Sequence, residues 1–277
     1  MVQEISYSWY KNEMKMKKIG IIGAGNIGCA IARGLVSHGG YAPADICLAR
    51  TRTELLEDKK NEGFIVRDNL NLVKTCDYII LSVLPGQAEG VIGEVKEELG
   101  KGGKILISVV SAVKRDELIG WIGTDVNVVR IMPNTAVEYG ASMTCIAGDD
   151  AHAVEEVKSL FEPLGQTMII EEHLMPAATV LAACGIAFFL RFIRAVSQGG
   201  IQIGFHAEEA GEIAAQTARG AAELLLRTQN HPETEIDRVT TPMGTTIAGL
   251  NEMEHFGLSS AMIKGIVKSY SGISDLK

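Results

Sequence analysis

Apolar residues fall into two kinds of pattern along this chain, and the change between them divides it. From residue 18 to about residue 170, short β-branched runs alternate with segments of helical periodicity. "KIGIIG", "DICLAR", "YIILSVL", "KILISVV", "NVVRIM", "MTCIAG" and "TMIIEE" read as strands. "GCAIARGLVSHG" and "AEGVIGEVKEEL" have the length of helices that cross back over a sheet. Such alternation predicts βαβ crossovers and hence an α/β, doubly wound, mostly parallel sheet. After about residue 172 the strand pattern stops, and the spacing predicts helices over roughly 173–200, 206–229, 245–256 and 258–275. Two domains are therefore expected, 16–172 and an all-α unit over 173–277, which the chain of 277 residues can accommodate with a core in each.

The helical half is sparsely polar. "AGEIAAQTARGAAELLL" is rich in small residues that let helices approach closely, and the stretch before it is apolar over much of its circumference. A partner subunit or burial within the monomer would cover it. "TVLAACGIAFFL" stops at Arg191, short of the ~20 apolar residues of a membrane helix, so no membrane span is expected. The opening "MVQEISYSWYKNEMKMKK" lacks the apolar core of a secretory signal. The expectation is a cytoplasmic protein whose first strand begins after Lys18, with residues 1–15 an optional extension.

Composition narrows the class. Hydrophobic residues make up 47% and charged residues 22% of the chain, the balance of a folded globular protein. A net charge of -8 leaves no basic surface for a general nucleic-acid partner. Cys29, Cys47, Cys76, Cys145 and Cys184 are scattered without metal spacing, so they read as small buried side chains in a reducing compartment and no metal site is expected.

The first chemical signal is "KIGIIGAGNIGCAIARGL", with G-x-G-x-x-G at Gly23, Gly25 and Gly28 between a strand and a helix. Gly23 permits the tight turn, Gly25 lets the backbone approach a pyrophosphate, and Gly28 lets helix and strand pack. Ala24, Asn26 and Ile27 complete the turn at a helix start that favours an anion. At the end of the second strand, where an acid would bond the ribose of NAD, the chain has "ARTR". Arg50 and Arg52, with Thr51 between them, suit a 2′-phosphate, so NADP(H) is favoured and NAD(H) stays open. Two solvated surface arginines are the plainer reading.

No His or Lys falls into a motif for removing an alcohol proton, and no G-x-S-x-G elbow or H-E-x-x-H helix occurs. A hydroxyacid dehydrogenase or a hydrolase therefore lacks its chemistry here. Reduction of a cyclic imine fits better, because a protonated C=N bond is already electrophilic and a nicotinamide cofactor brings the hydride.

Several segments together resemble the pyrroline-5-carboxylate reductase family. "GIIGAGNIGCAIARGL" is similar to its cofactor turn, "CDYIILSVLPGQ" to its third-unit strand and loop, and "VVRIMPNTAVEYGAS" to its R-x-M-P-N-T segment. "VTTPMGTTIAGLNEME" resembles its V-T-S-P-G-G-T-T-I-A-G-L signature. The resemblance covers nearly all the chain from residue 16 and implies a Rossmann domain followed by a helical dimerisation domain. It also implies a homodimer or ring of dimers, with the active site where one subunit's cofactor domain meets a partner's helices.

By position, the resemblance puts Asn69, Ser82, Val83, Leu84 and Pro85 along the cofactor. Val109, Val110 and Ser111 fall near the nicotinamide, and Asn134 helps form the floor beside the substrate. Thr246 matches the threonine that contacts the substrate nitrogen, and Gly244, Thr245 and Thr246 would offer backbone N–H groups to its carboxylate. Ordinary helix capping is the alternative for the two threonines. The implied activity is NAD(P)H-dependent reduction of 1-pyrroline-5-carboxylate to L-proline. A reductase of a related cyclic imine and a non-catalytic NADP(H)-binding sensor are the alternatives. Three places depart from the family pattern: Leu84 for lysine, "AACGIAF" at 182–188, and Met243 for glycine.

Overall fold

The computed structural model describes residues 16–123 and 126–273; the extension expected at 1–15 lies outside them. The described residues form two compact units, 16–183 with 272–273, and Cys184–Ser271.

The first unit is built on an eight-stranded sheet of order β3-β2-β1-β4-β5-β6-β7-β8. Its strands are β1 Ile19–Ile22, β2 Ile46–Ala49, β3 Ile65–Val66, β4 Tyr78–Leu81, β5 Ile105–Ser108, β6 Asn127–Met132, β7 Ser142–Ala147 and β8 Gly165–Ile169. Only the β6–β7 pairing is antiparallel; the others are parallel. Helices α1 Asn26–Ser37, α2 Glu57–Asn61, α3 Asn69–Thr75, α4 Pro85–Leu99, α5 Arg115–Ile122 and α6 Ala151–Phe161 lie between the strands. The order reverses on either side of β1, the topology that opens a crevice at the carboxyl ends of the strands. β3 has no counterpart among the expected strands, since two residues carry no alternation.

β1 illustrates how the sheet is clad. Side chains of successive strand residues point to opposite faces. Ile19 and Ile21 join Ala30, Ile31 and Leu35 of α1 and Val157 and Phe161 of α6. Ile22 joins Leu72 and Val73 of α3, Ile92 and Val95 of α4, and Leu118 and Ile122 of α5. A fully buried Ile or Leu contributes about 1.5–3 kcal/mol, so these two layers carry most of the stability. Gly20 sets how near α3 comes: a Cβ there would stand 2.2 Å from Leu72 Cδ2. Cys47, Cys76 and Cys145 are buried, and none of the five cysteines is in a disulfide; burial pushes the Cys145 thiol up.

The first unit runs past the boundary expected at residue 172. Met175, Ala178 and Ala182 bury against Met132, Cys145 and Ala147, which ties α7 Met175–Ala178 to the sheet. Arg130, 4% exposed, reinforces this from β6: its Nη1 donates to Glu172 Oε1 at 2.6 Å, and the same oxygen accepts from Arg115 N at 3.2 Å.

In the second unit, α8 Gly185–Gln202 packs on α9 Ala207–Thr228. Small residues make the approach close: a Cβ at Gly200 would lie 3.1 Å from Ala210 Cβ, with Ser197, Ala210 and Ala214 buried. α10 Pro232–Val239, α11 Thr245–His255 and α12 Leu258–Ile273 follow. α10 was not expected because "PETEIDRV" is mostly polar, with only Ile236 and Val239 apolar; Pro at its first position starts it, and His231 caps it by accepting from Glu233 N.

The helical run Glu172–Gln202, including a π-turn at Thr179–Cys184, is long and apolar enough to cross a membrane by length and composition. The helix continues through Arg191, where the apolar stretch had been expected to stop. Leu181, Phe189, Leu190 and Val196 are all exposed along it.

Replacing Arg130 by Met should leave the Glu172 carboxylate without its cation. With Glu172 partly solvated, the expected loss is on the order of 2–3 kcal/mol. Urea denaturation of Arg130→Met would show a lowered midpoint at constant slope; an unchanged midpoint would remove the pair from the stability account.

Candidate functional site

The carboxyl ends of β1, β2, β4 and β5 open onto a cleft of about 870 Å³. β1 ends at Ile22, and Gly23 turns the chain with φ +92°. Gly23 N and Ala24 N both donate to Ala49 O, at 2.9 and 3.0 Å, which pins the turn to β2. A Cβ at Gly23 would stand 2.7 Å from the Ser82 backbone, so glycine is required twice over, by conformation and by space. At Gly28 a Cβ would meet Ser82 Oγ at 2.9 Å and Gly23 O at 3.0 Å. That hydroxyl donates to Gly23 O at 3.0 Å, linking the turn to β4.

Gly25 is the N-cap of α1 and has no capping side chain. The first-turn N–H groups of a helix have no carbonyl partner within it, so here they stand beside the cleft at Asn26 and Ile27 without a side chain in front. Arg50, Thr51 and Arg52 lie along the next wall, and Arg50 Nη1 reaches Ala24 O at 3.4 Å. Asn69, Ser82, Val83, Leu84 and Pro85 continue the lining, and Val109, Ser111 and Thr135 close the end over β5. The cleft thus offers free N–H groups and two guanidinium groups, a set suited to a polyanionic ligand.

Most expected cofactor residues thus come together; two are corrected, and Gly28 keeps the packing role read from the motif without lining the cleft. Ala24, Gly28 and Val110 do not line the cleft. Ala24 and Val110 are buried in the two core layers, and Gly28 is where α1 touches β4. Conversely, Ile22, Gln87, Gly90, Val91, Glu94 and Thr135 line the cleft without having been expected there. Gln87, Gly90, Val91 and Glu94 sit at i, i+3, i+4 and i+7 on α4, one helix face. That spacing was available in the sequence once Pro85 was placed at the cleft.

Asn134 also differs from expectation. It is buried, its Nδ2 donates to Ala182 O at 2.9 Å and its Oδ1 accepts from Ala136 N at 2.9 Å. Both ends of the amide hold the backbone, so Asn134 clamps the segment after β6 to Ala182, and it does not line the cleft.

In the second unit, Thr241 to Gly244 form a turn closed by Gly244 N donating to Thr241 O at 2.9 Å. Pro242 and Met243 are its central residues, and Met243 has φ +61°, the arrangement of a type II turn. Gly244 then caps α11 with no side-chain bond. Its N–H is committed to the turn, so of the three expected carboxylate donors it is the one already used; Thr245 and Thr246, the first two helical residues, present the open N–H groups. A Cβ at Gly244 would lie 2.5 Å from Thr241 Oγ1.

Comparison with known proteins assigns this architecture. A family model described as pyrroline-5-carboxylate reductase dimerisation matches residues 172–276, and one described as NADP oxidoreductase, coenzyme F420-dependent, matches 18–112. Pyrroline-5-carboxylate reductase 2 of Dictyostelium discoideum is 46% identical over 272 residues, covering 91% of this chain and 91% of that protein. The chain belongs to the pyrroline-5-carboxylate reductase family.

Pyrroline-5-carboxylate reductase 1 of the same organism is 45% identical over 91% of this chain, and this chain spans only 48% of its length. Among solved structures, a Plasmodium falciparum pyrroline carboxylate reductase with NADP bound has a TM-score of 0.86 at 23% identity, covering 95% of this chain and 99% of its own. One from Streptococcus pyogenes has a TM-score of 0.82 at 27% identity, covering 94% and 98%. The Rossmann sheet and the helical unit are thus those of the family, and the long apolar run of α7 and α8 falls within its dimerisation model.

Met243, where the family signature has glycine, is fully exposed and touches nothing that would reward its left-handed backbone. That conformation costs a non-glycine residue about 1–2 kcal/mol. Met243→Gly should therefore raise stability by about 0.5–1 kcal/mol after the entropy of glycine is counted. A thermal melt reads this as a higher midpoint; a fall would mean that Met243 makes contacts in the assembled protein.

Proposed function

We propose that this chain reduces 1-pyrroline-5-carboxylate to L-proline with NADPH as hydride donor. The observation that carries the reading is the pairing of an uncapped α1 N-terminus with Arg50 and Arg52 at one cleft, in a reductase-family chain whose helical unit carries a threonine-rich, uncharged helix start. The cleft fits the cofactor on its own terms. A Cβ added at Gly25 would meet no atom nearer than 3.8 Å, so space for a pyrophosphate lies in front of the Asn26 and Ile27 N–H groups. Arg50, Thr51 and Arg52 take the 2′-phosphate, which an acid at the same place would repel.

The bound cofactor supplies hydride for the imine carbon, and the protein's task is to hold the two reactants and the charge. Thr245 and Thr246 N–H groups, at the positive end of α11, receive the carboxylate of the substrate. The Thr246 hydroxyl hydrogen-bonds the ring nitrogen and orients the C=N bond. No acidic side chain lies in Thr240 to Leu250, so nothing there opposes the carboxylate.

The protein is proposed to work as a homodimer or ring of dimers in the cytoplasm. Phe189, Leu190, Phe192, Val196 and Leu226 are exposed in the single chain, more apolar surface than a lone subunit leaves uncovered. A second copy of the same helical unit covers it, and the cleft of one subunit is completed by α11 of the other.

Thr246→Ala is expected to lower kcat/KM for 1-pyrroline-5-carboxylate by about tenfold, the loss of a hydrogen bond worth about 1–2 kcal/mol. Retention of full kcat/KM would deny the hydroxyl its role. Removing both guanidinium groups in Arg50→Ala/Arg52→Ala should cost NADPH affinity much more than NADH affinity, on the order of tenfold. Steady-state assays with each cofactor check this, and equal losses would leave the arginines as surface charge.

A further inference from the structure

Another part of the cleft lining carries a different chemistry from that of Arg50 and Arg52. Asn69 Nδ2 donates to Glu94 Oε2 at 2.8 Å, and both residues line the cleft. Glu94 is acceptor-only, and its grip on Nδ2 fixes the amide so that Asn69 turns its carbonyl oxygen away from the pair. Neither Asn69 Oδ1 nor Glu94 Oε1 has a hydrogen-bond partner among the described residues. The wall is therefore a pair of open acceptors, with Val91 beside them as an apolar surface and Gly90 leaving its own position flat. Acceptors with no donor in a cleft otherwise built for phosphate call for a part of the ligand that gives protons.

On the reading that this cleft binds NADP(H), the Gly23–Gly28 turn, the arginines and the residues over β5 account for the pyrophosphate, the 2′-phosphate and the nicotinamide. The base is what remains for the Asn69, Val91 and Glu94 wall. We propose that the Asn69–Glu94 pair recognises the exocyclic 6-amino group of the adenine. Glu94 sets the polarity of the wall in two ways, by its own oxygen and by fixing which end of the Asn69 amide faces the base.

Reduced nicotinamide hypoxanthine dinucleotide phosphate, in which that amino group is a carbonyl, probes the proposal. Binding to the full chain is read by nicotinamide fluorescence, without substrate. The native protein should hold NADPH at least about fivefold tighter than the hypoxanthine form, the value of one hydrogen bond to a charged acceptor pair in a wet site. In Glu94→Ala the Asn69 amide is free to turn over, and the preference should fall below twofold. In Glu94→Lys, a donor-only side chain meets the carbonyl and draws Asn69 Oδ1 to itself, and the preference should reverse. Glu94 is exposed, so both variants should melt with the native protein.

A native preference under twofold, or a fivefold preference that survives in Glu94→Ala, overturns the proposal while leaving NADPH binding in place. Failure of NADPH itself to bind overturns the cofactor reading and this one with it.

Discussion

The approach of three backbones around Gly23, Gly28 and Ser82 is the constraint on which the site depends. β1, α1 and β4 meet there so closely that a single added carbon at Gly23 or Gly28 would overlap the Ser82 backbone or hydroxyl. Because no side chain intervenes, α1 starts directly against the end of the sheet and its unbonded N–H groups reach the cleft. Ser82 completes the junction by donating to Gly23 O. Parallel pairing of β1 with both β2 and β4 then brings the Arg50 and Val83 loops to the same opening. The cleft follows from packing, and its charge follows from which residues those loops carry.

The second unit uses the same device with other parts. A helix N-terminus without a capping side chain recurs at α11, where the turn through Pro242 and Met243 spends the Gly244 N–H and leaves those of Thr245 and Thr246 open. Two helix starts without capping side chains thus leave N–H groups open, one at the cleft and one at the Thr245–Thr246 turn, and the proposed function assigns an anion to each. Arginines stand beside the first, and the residues around the second, Thr240 to Leu250, are uncharged. Both units also rely on missing side chains for close approach, at Gly34 against Val137 O in the first and at Gly200 against Ala210 in the second.

Fold class was legible because its signals are local and repeated. Each main strand of the Rossmann sheet is a short β-branched run, and the crossover helices between them have plain periodicity. What escaped was short or polar: β3 with two residues and α10 with only two apolar side chains, Ile236 and Val239. Of the residues lining the cleft, Gly23, Gly25 and Arg50 were legible in local motifs, and Asn69 through the family resemblance. Glu94 and Gln87 were missed since they belong to a helix whose exposed face gains meaning only when that face is known to overlook the cleft.

The sequence by itself determined the order of the main strands and helices, the glycines of the turn, the two arginines after β2, and the membership of a reductase family. Those properties are encoded in residues close together along the chain. Tertiary structure decided which of these side chains face ligand and which face core. It buried Ala24 and Val110, engaged both ends of the Asn134 amide, extended the first unit to Ala183 and brought Asn69 to Glu94. Those outcomes rest on contacts between distant segments, where the free energy of burying Met175 or Ala182 and of satisfying a buried amide outweighs any local preference.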